Sequence, residues 1–293
     1  MTTFLGVMGG KLADRWPALV ALPGLLFVAA VTLAAVLGQD HAVSYAALSS
    51  QINAWAASPA LKSPGGAVLV VAAILAGSLV AGLAAAAGGW FIEMLWTLPG
   101  EHPPARWLAQ WRRARSRRFK RIADTSLDPA AVRRAMARAD RICLVEAACP
   151  TWIGDRMRAC HIRIAKTYGL DLTAAWPRLW LVLPDTARTE LGAARESFGG
   201  AARLTAWAVL YLLLAIWWWP AALAAVVAGV TAVVQGRLAT GNFADLIESA
   251  FDLYAADLAA RLGDGERLTF TAGSLLSIRM RKERWNAASP TAD

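Results

Sequence analysis

Three long apolar blocks organise the chain: Trp16 to Gly38, Gly65 to Leu98 and Leu204 to Gly236. Each meets the criterion of roughly 18 or more mostly apolar residues for a transmembrane helix. The third runs for 33 residues without a charged side chain. As one helix it would measure about 50 Å against a hydrocarbon core of about 30 Å, and would need more than the usual ~0–40° of tilt. Near its middle lies "IWWWP", residues 216–220. Pro220 lacks an amide donor and breaks a helix, while tryptophans settle at the headgroup level. The block therefore reads as two spans, about 204–219 and 221–236, with Arg203 and Arg237 snorkelling at the inner ends.

The first two blocks predict spans at about 16–38 and 67–90, the second extending inward through Trp96. The first reads as a retained anchor, because its apolar stretch is about twice the usual 7–15 residues of a signal-peptide core. The glycines of the second, among them Gly77, Gly82, Gly88 and Gly89, sit among alanines, a pattern that lets helices approach closely. Between these two spans, Gln39 to Pro64 reads as an outer loop.

Outside the blocks the periodicity changes. Residues 99–203 read as a basic region of short helices, and 237–293 as a helical tail. "ARWLAQWRRARSRRFKRIAD" places Trp107, Trp111, Ala114 and Ile122 at helical spacing, with Phe119 nearby. Asp128-Pro129 predicts a helix start, with the helix reaching about Ala148. Thr151 caps a further helix ending at Gly169, and Asp185 opens one that leads into the third span. In the tail, Asn242 is expected to cap a helix closed by Gly263. Its apolar stripe includes Phe243, Ile247, Phe251 and Leu258, and Asp245, Glu248 and Asp252 line another face. That acidic face is expected either to be solvated or to dock on the basic helix.

Charge turns this pattern into a topology. The chain carries a formal net charge of +9. Residues 99–203 hold 20 Lys+Arg against 10 Asp+Glu, and seven basic residues follow Gly236. The 39–64 loop has one acid and one base. By the positive-inside rule, only four spans with both termini inside keep every Arg-rich segment in the cytoplasm. The expected fold is thus an all-α integral membrane protein: two transmembrane hairpins (16–98 and 204–236), a short cytoplasmic N-terminus (1–15) and a helical cytoplasmic cap. Abundant Ala, Arg and Gly with little Lys suits a GC-rich bacterium, and hence its inner membrane.

The basic helix offers the main binding candidates: Trp107, Trp111, Arg112, Arg113, Arg115, Arg117, Arg118, Lys120 and Arg121. Its aromatic stripe suits the lipid boundary and its cations anionic headgroups. Ordinary positive-inside charge explains the same residues without a ligand, and nucleic acid is the least favoured partner. Catalytic, cofactor and metal chemistry find no pattern. Cys149, Cys160 and His161 lack chelating spacing, and Cys143 completes an odd count suited to reduced thiols. His161, Asp155 and Glu146 lack a feature to orient them as an acid/base set. The span cores carry no ionisable residue, which argues against an ion-coupled carrier. Glu93 stands near an inner end.

"PTWIGDRMRACHIRIAKTYGLDLTAAWPRLWLVLP" carries a further pattern in Pro150, Thr151, Gly154, Asp155, Tyr168, Gly169, Trp176, Pro177 and Arg178. With Leu170, Asp171 and Leu179, these resemble the Pro-Thr-x-x-Gly-Asn/Asp, Tyr-Gly-Leu-Asp and Trp-Pro-Arg-Leu elements of a group of uncharacterised multi-pass bacterial membrane proteins. The resemblance implies flanking spans and no particular activity. Read physically, Thr151 caps, Gly154 admits another backbone, Tyr168-Gly169 terminates a helix, Trp176-Pro177 starts the next segment, and Arg178 is available to Asp155 or Asp171. The leading functional expectation is a non-enzymatic scaffold or interaction module that engages anionic lipid, a protein partner or further copies of itself. An oligomeric channel or transporter subunit and a membrane-surface enzyme are the alternatives.

Overall fold

The structure, a computed structural model, describes residues 22–39, 42, 44–57, 63–100, 103, 105–126, 128–142, 147–262 and 269–281. Among these, all regular structure is helical. The helices are α1 (Leu22–Leu37), α2 (Tyr45–Ala57), α3 (Pro64–Thr97), α4 (Ala105–Thr125), α5 (Pro129–Ile142), α6 (Trp152–Tyr168), α7 (Leu172–Val182), α8 (Asp185–Leu214), α9 (Pro220–Arg261) and α10 (Phe270–Arg281). Three of them, α3, α8 and α9, are long and apolar enough to cross a membrane, and α1 is apolar but shorter. The chain is a helical membrane protein.

Two compact units divide it: residues 1–93 with 199–234, and residues 94–198 with 235–293. In the first, large apolar side chains such as Leu69, Leu75, Leu83, Val227 and Val230 point outward while Ser78, Ala81 and Ala85 are buried. This inversion is what lipid permits: association then relies on small residues and close packing. Phe27 meets Trp207 and Tyr211, with ring centroids 5.8 and 5.3 Å away.

The break at 215–219 is real. Helix α8 stops at Leu214 and α9 begins at Pro220 itself, the first-turn position where a missing amide costs nothing. The side chain of Gln39 holds the turn: its amide donates to the carbonyls of Ala215 (3.3 Å) and Ile216 (2.7 Å), and its oxygen accepts from Trp219 N (3.3 Å). Trp218 Nε1 donates to Ala42 O at 3.0 Å. The helix ends themselves are met by backbone turn bonds: Ala215 N, Ile216 N and Trp217 N donate to the carbonyls of Tyr211, Leu213 and Leu214, and Ala221 N and Ala222 N donate to those of Trp218 and Trp219.

Several expectations fail. The outer loop contains α2. No break separates the last span from the tail, because α9 runs 42 residues through Gly241-Asn242, so Asn242 caps nothing. Buried Thr240 donates to Gly236 O at 2.6 Å, and buried Ala239, Ala244 and Ile247 keep this stretch packed; such burial outweighs the modest helix propensity of Gly and Asn. The α5 helix does not reach Ala148, since Ala147 and Ala148 are non-helical, although Asp128 does cap it through Ala130 N (2.9 Å) and Ala131 N (3.1 Å). The beginning of the first span and the expected stop at Gly263 lie outside the described residues.

The second unit has a conventional water-type core. Cys160, Ile164, Leu170, Leu179, Leu183, Leu191, Phe251, Leu258 and Leu276 are buried together, contributed by α6, α7, the start of α8, the tail half of α9, and α10. Trp176 stacks on Phe251 with centroids 6.5 Å apart.

Candidate functional site

Helix α4 turns out to have two different faces. Ala105, Ala109, Arg112, Ser116 and Ala123 are buried, a stripe of small residues containing one arginine. Trp107 and Trp111 face outward at 79% and 60% exposure, with Leu108 and Ile122 also exposed. The Arg115 guanidinium sits 5.3 Å from the Trp111 ring centroid, a cation–π distance. Arg117, Arg118, Lys120 and Arg121 are exposed and Arg113 is half-buried. The stripe anticipated from sequence is therefore not a core face.

Arg112 must be withdrawn from the outward-binding set. Its Nη1 donates to Asp155 Oδ2 and to Cys149 O, both at 2.7 Å. Asp155 Oδ1 accepts from Ala148 N (2.9 Å) and Cys149 N (2.8 Å). A buried carboxylate with this many donors is a satisfied junction, and its partner is Arg112 rather than Arg178. Arg178 instead donates to Ala174 O and Met280 O.

The Pro-Thr-x-x-Gly-Asp stretch is built around this junction. Pro150 is half-buried in the turn before α6. Thr151 Oγ1 accepts from Gly154 N at 3.0 Å and donates to Trp96 O, on the last turn of α3, at 2.6 Å. A Cβ on Gly154 would stand 2.6 Å from that same Trp96 oxygen, so only glycine lets the two backbones meet. Trp96 also packs edge-on against Phe198, with centroids 5.7 Å apart.

The Tyr-Gly-Leu-Asp element docks α10. Gly169 ends α6 in the left-handed conformation, φ 67°, and its N–H donates to Ala165 O at 3.0 Å. Asp171 caps α7 through Thr173 N at 2.9 Å and pairs with Arg281, while His161 Nε2 lies 3.6 Å away. Burial pushes the Asp171 carboxyl up, but Arg281, the Thr173 amide and His161 bring it below its usual range. Ser277 Oγ accepts from Asp171 N (2.9 Å) and donates to Gly169 O (3.0 Å). Trp176-Pro177 lies inside α7 instead of starting it; Trp176 packs on the core and Pro177 is exposed.

The acidic stripe of α9 meets α6, not the basic helix. Arg156 bonds Glu248 (3.0 Å) and Asp245 (2.5 Å), Arg163 bonds Glu248 (2.5 Å), and Tyr168 OH donates to Asp252 (2.5 Å). Burial and the Asp252 carboxylate push the Tyr168 hydroxyl up to about 12. Sequence reading missed Arg156 and Arg163, although their seven-residue spacing puts both on one face of the helix.

Comparison of the chain with protein-family models, curated proteins and solved structures finds no match. Function therefore has to be argued from the geometry. Among the described residues no cluster of His, Cys, Asp and Glu could hold a metal ion. Cys160 is fully buried and its thiol is pushed up to about 12 by burial and then by Glu248, the opposite of an activated nucleophile. Cys149 is likewise raised, by burial and Asp155. Cys143 and Glu146 lie outside the described residues.

Proposed function

We propose that this is a four-span inner-membrane protein with both termini in the cytoplasm. The second unit forms its cytoplasmic cap and presents α4 as a non-enzymatic module for anionic lipid headgroups. One observation carries the reading: α4 is fixed by its small-residue face through Arg112, while Trp107, Trp111, Arg115, Arg117, Arg118, Lys120 and Arg121 are exposed. That is the arrangement an interfacial helix needs, with aromatic rings for the acyl boundary and guanidiniums for phosphates. Only seven residues separate Thr97 from Ala105, at most about 29 Å of extended chain, so α4 cannot stray far from the end of a membrane helix. The 20 Lys+Arg of residues 99–203 and the seven beyond Gly236 support the topology through the positive-inside rule.

The test places a single environment-sensitive label at Leu108Cys, in cysteine-free protein reconstituted into nanodiscs. Anionic phosphatidylglycerol discs should shift its emission to the blue relative to phosphatidylcholine discs. Neutralising Arg115, Arg118, Lys120 and Arg121 to Gln should abolish the shift, as should high salt. An unchanged spectrum in the neutralised protein sinks the proposal. Labelling from outside intact cells should reach a cysteine at Trp219 and none beyond Arg237.

A further inference from the structure

A second cationic feature lies on the other side of the Arg112–Asp155 pair. Arg113, Asp155, Arg158, Ala159 and Ile162 line a cleft of about 370 Å³ between α4 and α6. Its charge balance is unusual. Among the described lining residues Asp155 is the one acid, and both its oxygens are already taken by Arg112 and by the amides of Ala148 and Cys149. Among the described residues, neither Arg113 nor Arg158 makes a hydrogen bond or ion pair, and Arg113 Nε is buried without a partner. A buried guanidinium donor left unmatched is costly, and two uncompensated guanidiniums beside one hollow make a trap for an oxyanion.

We propose that this cleft binds a single phosphate monoester or equivalent oxyanion, clamped between Arg113 of α4 and Arg158 of α6. Guanidinium forks match phosphate oxygens two at a time, and two such cations balance a doubly charged group. The volume lies within the range of small-ligand sites and exceeds what phosphate alone requires. Ala159 and Ile162 supply an apolar wall for the organic part of the ester. The site differs in kind from the outward face of α4, which attracts negative charge over an area; this one takes one group at a time.

Calorimetry on the full chain in nonionic detergent tests it with three probes: inorganic phosphate, dibutyryl phosphatidic acid and, as a blank, dibutyryl phosphatidylcholine. Saturable one-to-one binding is expected for the first two and not for the blank. Arg158→Gln, at an exposed position with no hydrogen bond or ion pair among the described residues, should weaken it by about tenfold, and so should Arg113→Gln. Arg113→Lys keeps the charge without the fork and should also weaken it. The pair Arg115→Gln and Arg118→Gln, on the outward face, should leave it intact. That control separates failure here from failure of the interfacial role. Tighter binding of phosphatidic acid than of phosphate assigns the site to a lipid headgroup; equal or exclusive binding of phosphate assigns it to a soluble anion. Absence of saturable binding for both, or binding indifferent to Arg113 and Arg158, overturns the proposal.

Discussion

Arg112 and Asp155 face each other at 2.7 Å across α4 and α6, with their side chains only 11% and 4% exposed. Removing one member of such a pair strands the other's charge in a dry setting, typically at a cost of about 3–5 kcal/mol. Arg112→Gln and Asp155→Asn should each lower the thermal unfolding midpoint of detergent-solubilised protein strongly. The double variant should lose less than the two single losses combined. Additive losses would show that the residues do not act as a pair.

Two glycines of the second unit should respond in opposite directions. Gly154→Ala pushes a methyl against the Trp96 carbonyl and should destabilise by about 1–3 kcal/mol, in the range of overpacked sites. Gly192 in α8 has nothing within 4 Å of an added Cβ, so Gly192→Ala should stabilise by about 0.5–1 kcal/mol. Thermal unfolding of both variants checks the contrast, and a neutral Gly154→Ala would refute the close approach of α3 and α6.

The docking of α10 should depend on acid. Asp171 sits below its ordinary value of 3.8, so the folded state favours the carboxylate. Its contribution is present above that value and is lost as pH falls through the lowered one. Hydrogen-exchange protection of Phe270–Arg281, corrected for intrinsic rate, should therefore drop as the pH falls below about 4. Asp171→Asn should already show reduced protection at neutral pH, by about 1–3 kcal/mol, with a shallower acid dependence. Equal acid profiles for both proteins would remove Asp171 from this role.

What the sequence made legible follows from how local each signal is. The apolar blocks, the turn at Trp217 to Trp219 and the caps at Thr151, Gly169 and Asp128 need only near neighbours to be read. Arg112 is different: its partner is 43 positions away, and within α4 it looks like any other cation of a basic helix. Longer separations still, 92 and 85 positions, hid the pairing of Arg156 and Arg163 with Glu248. The Asn242 cap was a local signal overruled by packing, since Thr240, Ala244 and Ile247 bury the helix on either side of it. In the Trp-Pro-Arg-Leu element, proline suggested a boundary, but Asp171 had already started that helix six residues earlier.

The contacts between α6 and α9 form two matched rails, with Arg156, Arg163 and Tyr168 on one and Asp245, Glu248 and Asp252 on the other. Glu248 serves two arginines at once, so no substitution on either rail is private. A sign change at 248 would leave two cations facing a third, whereas exchange of charge at 156, 163, 245 and 248 together would restore the pairing of opposite charges. In sequences descended from this one, the two rails are expected to drift in concert or not at all, a correlated inheritance that links positions nearly a hundred residues apart.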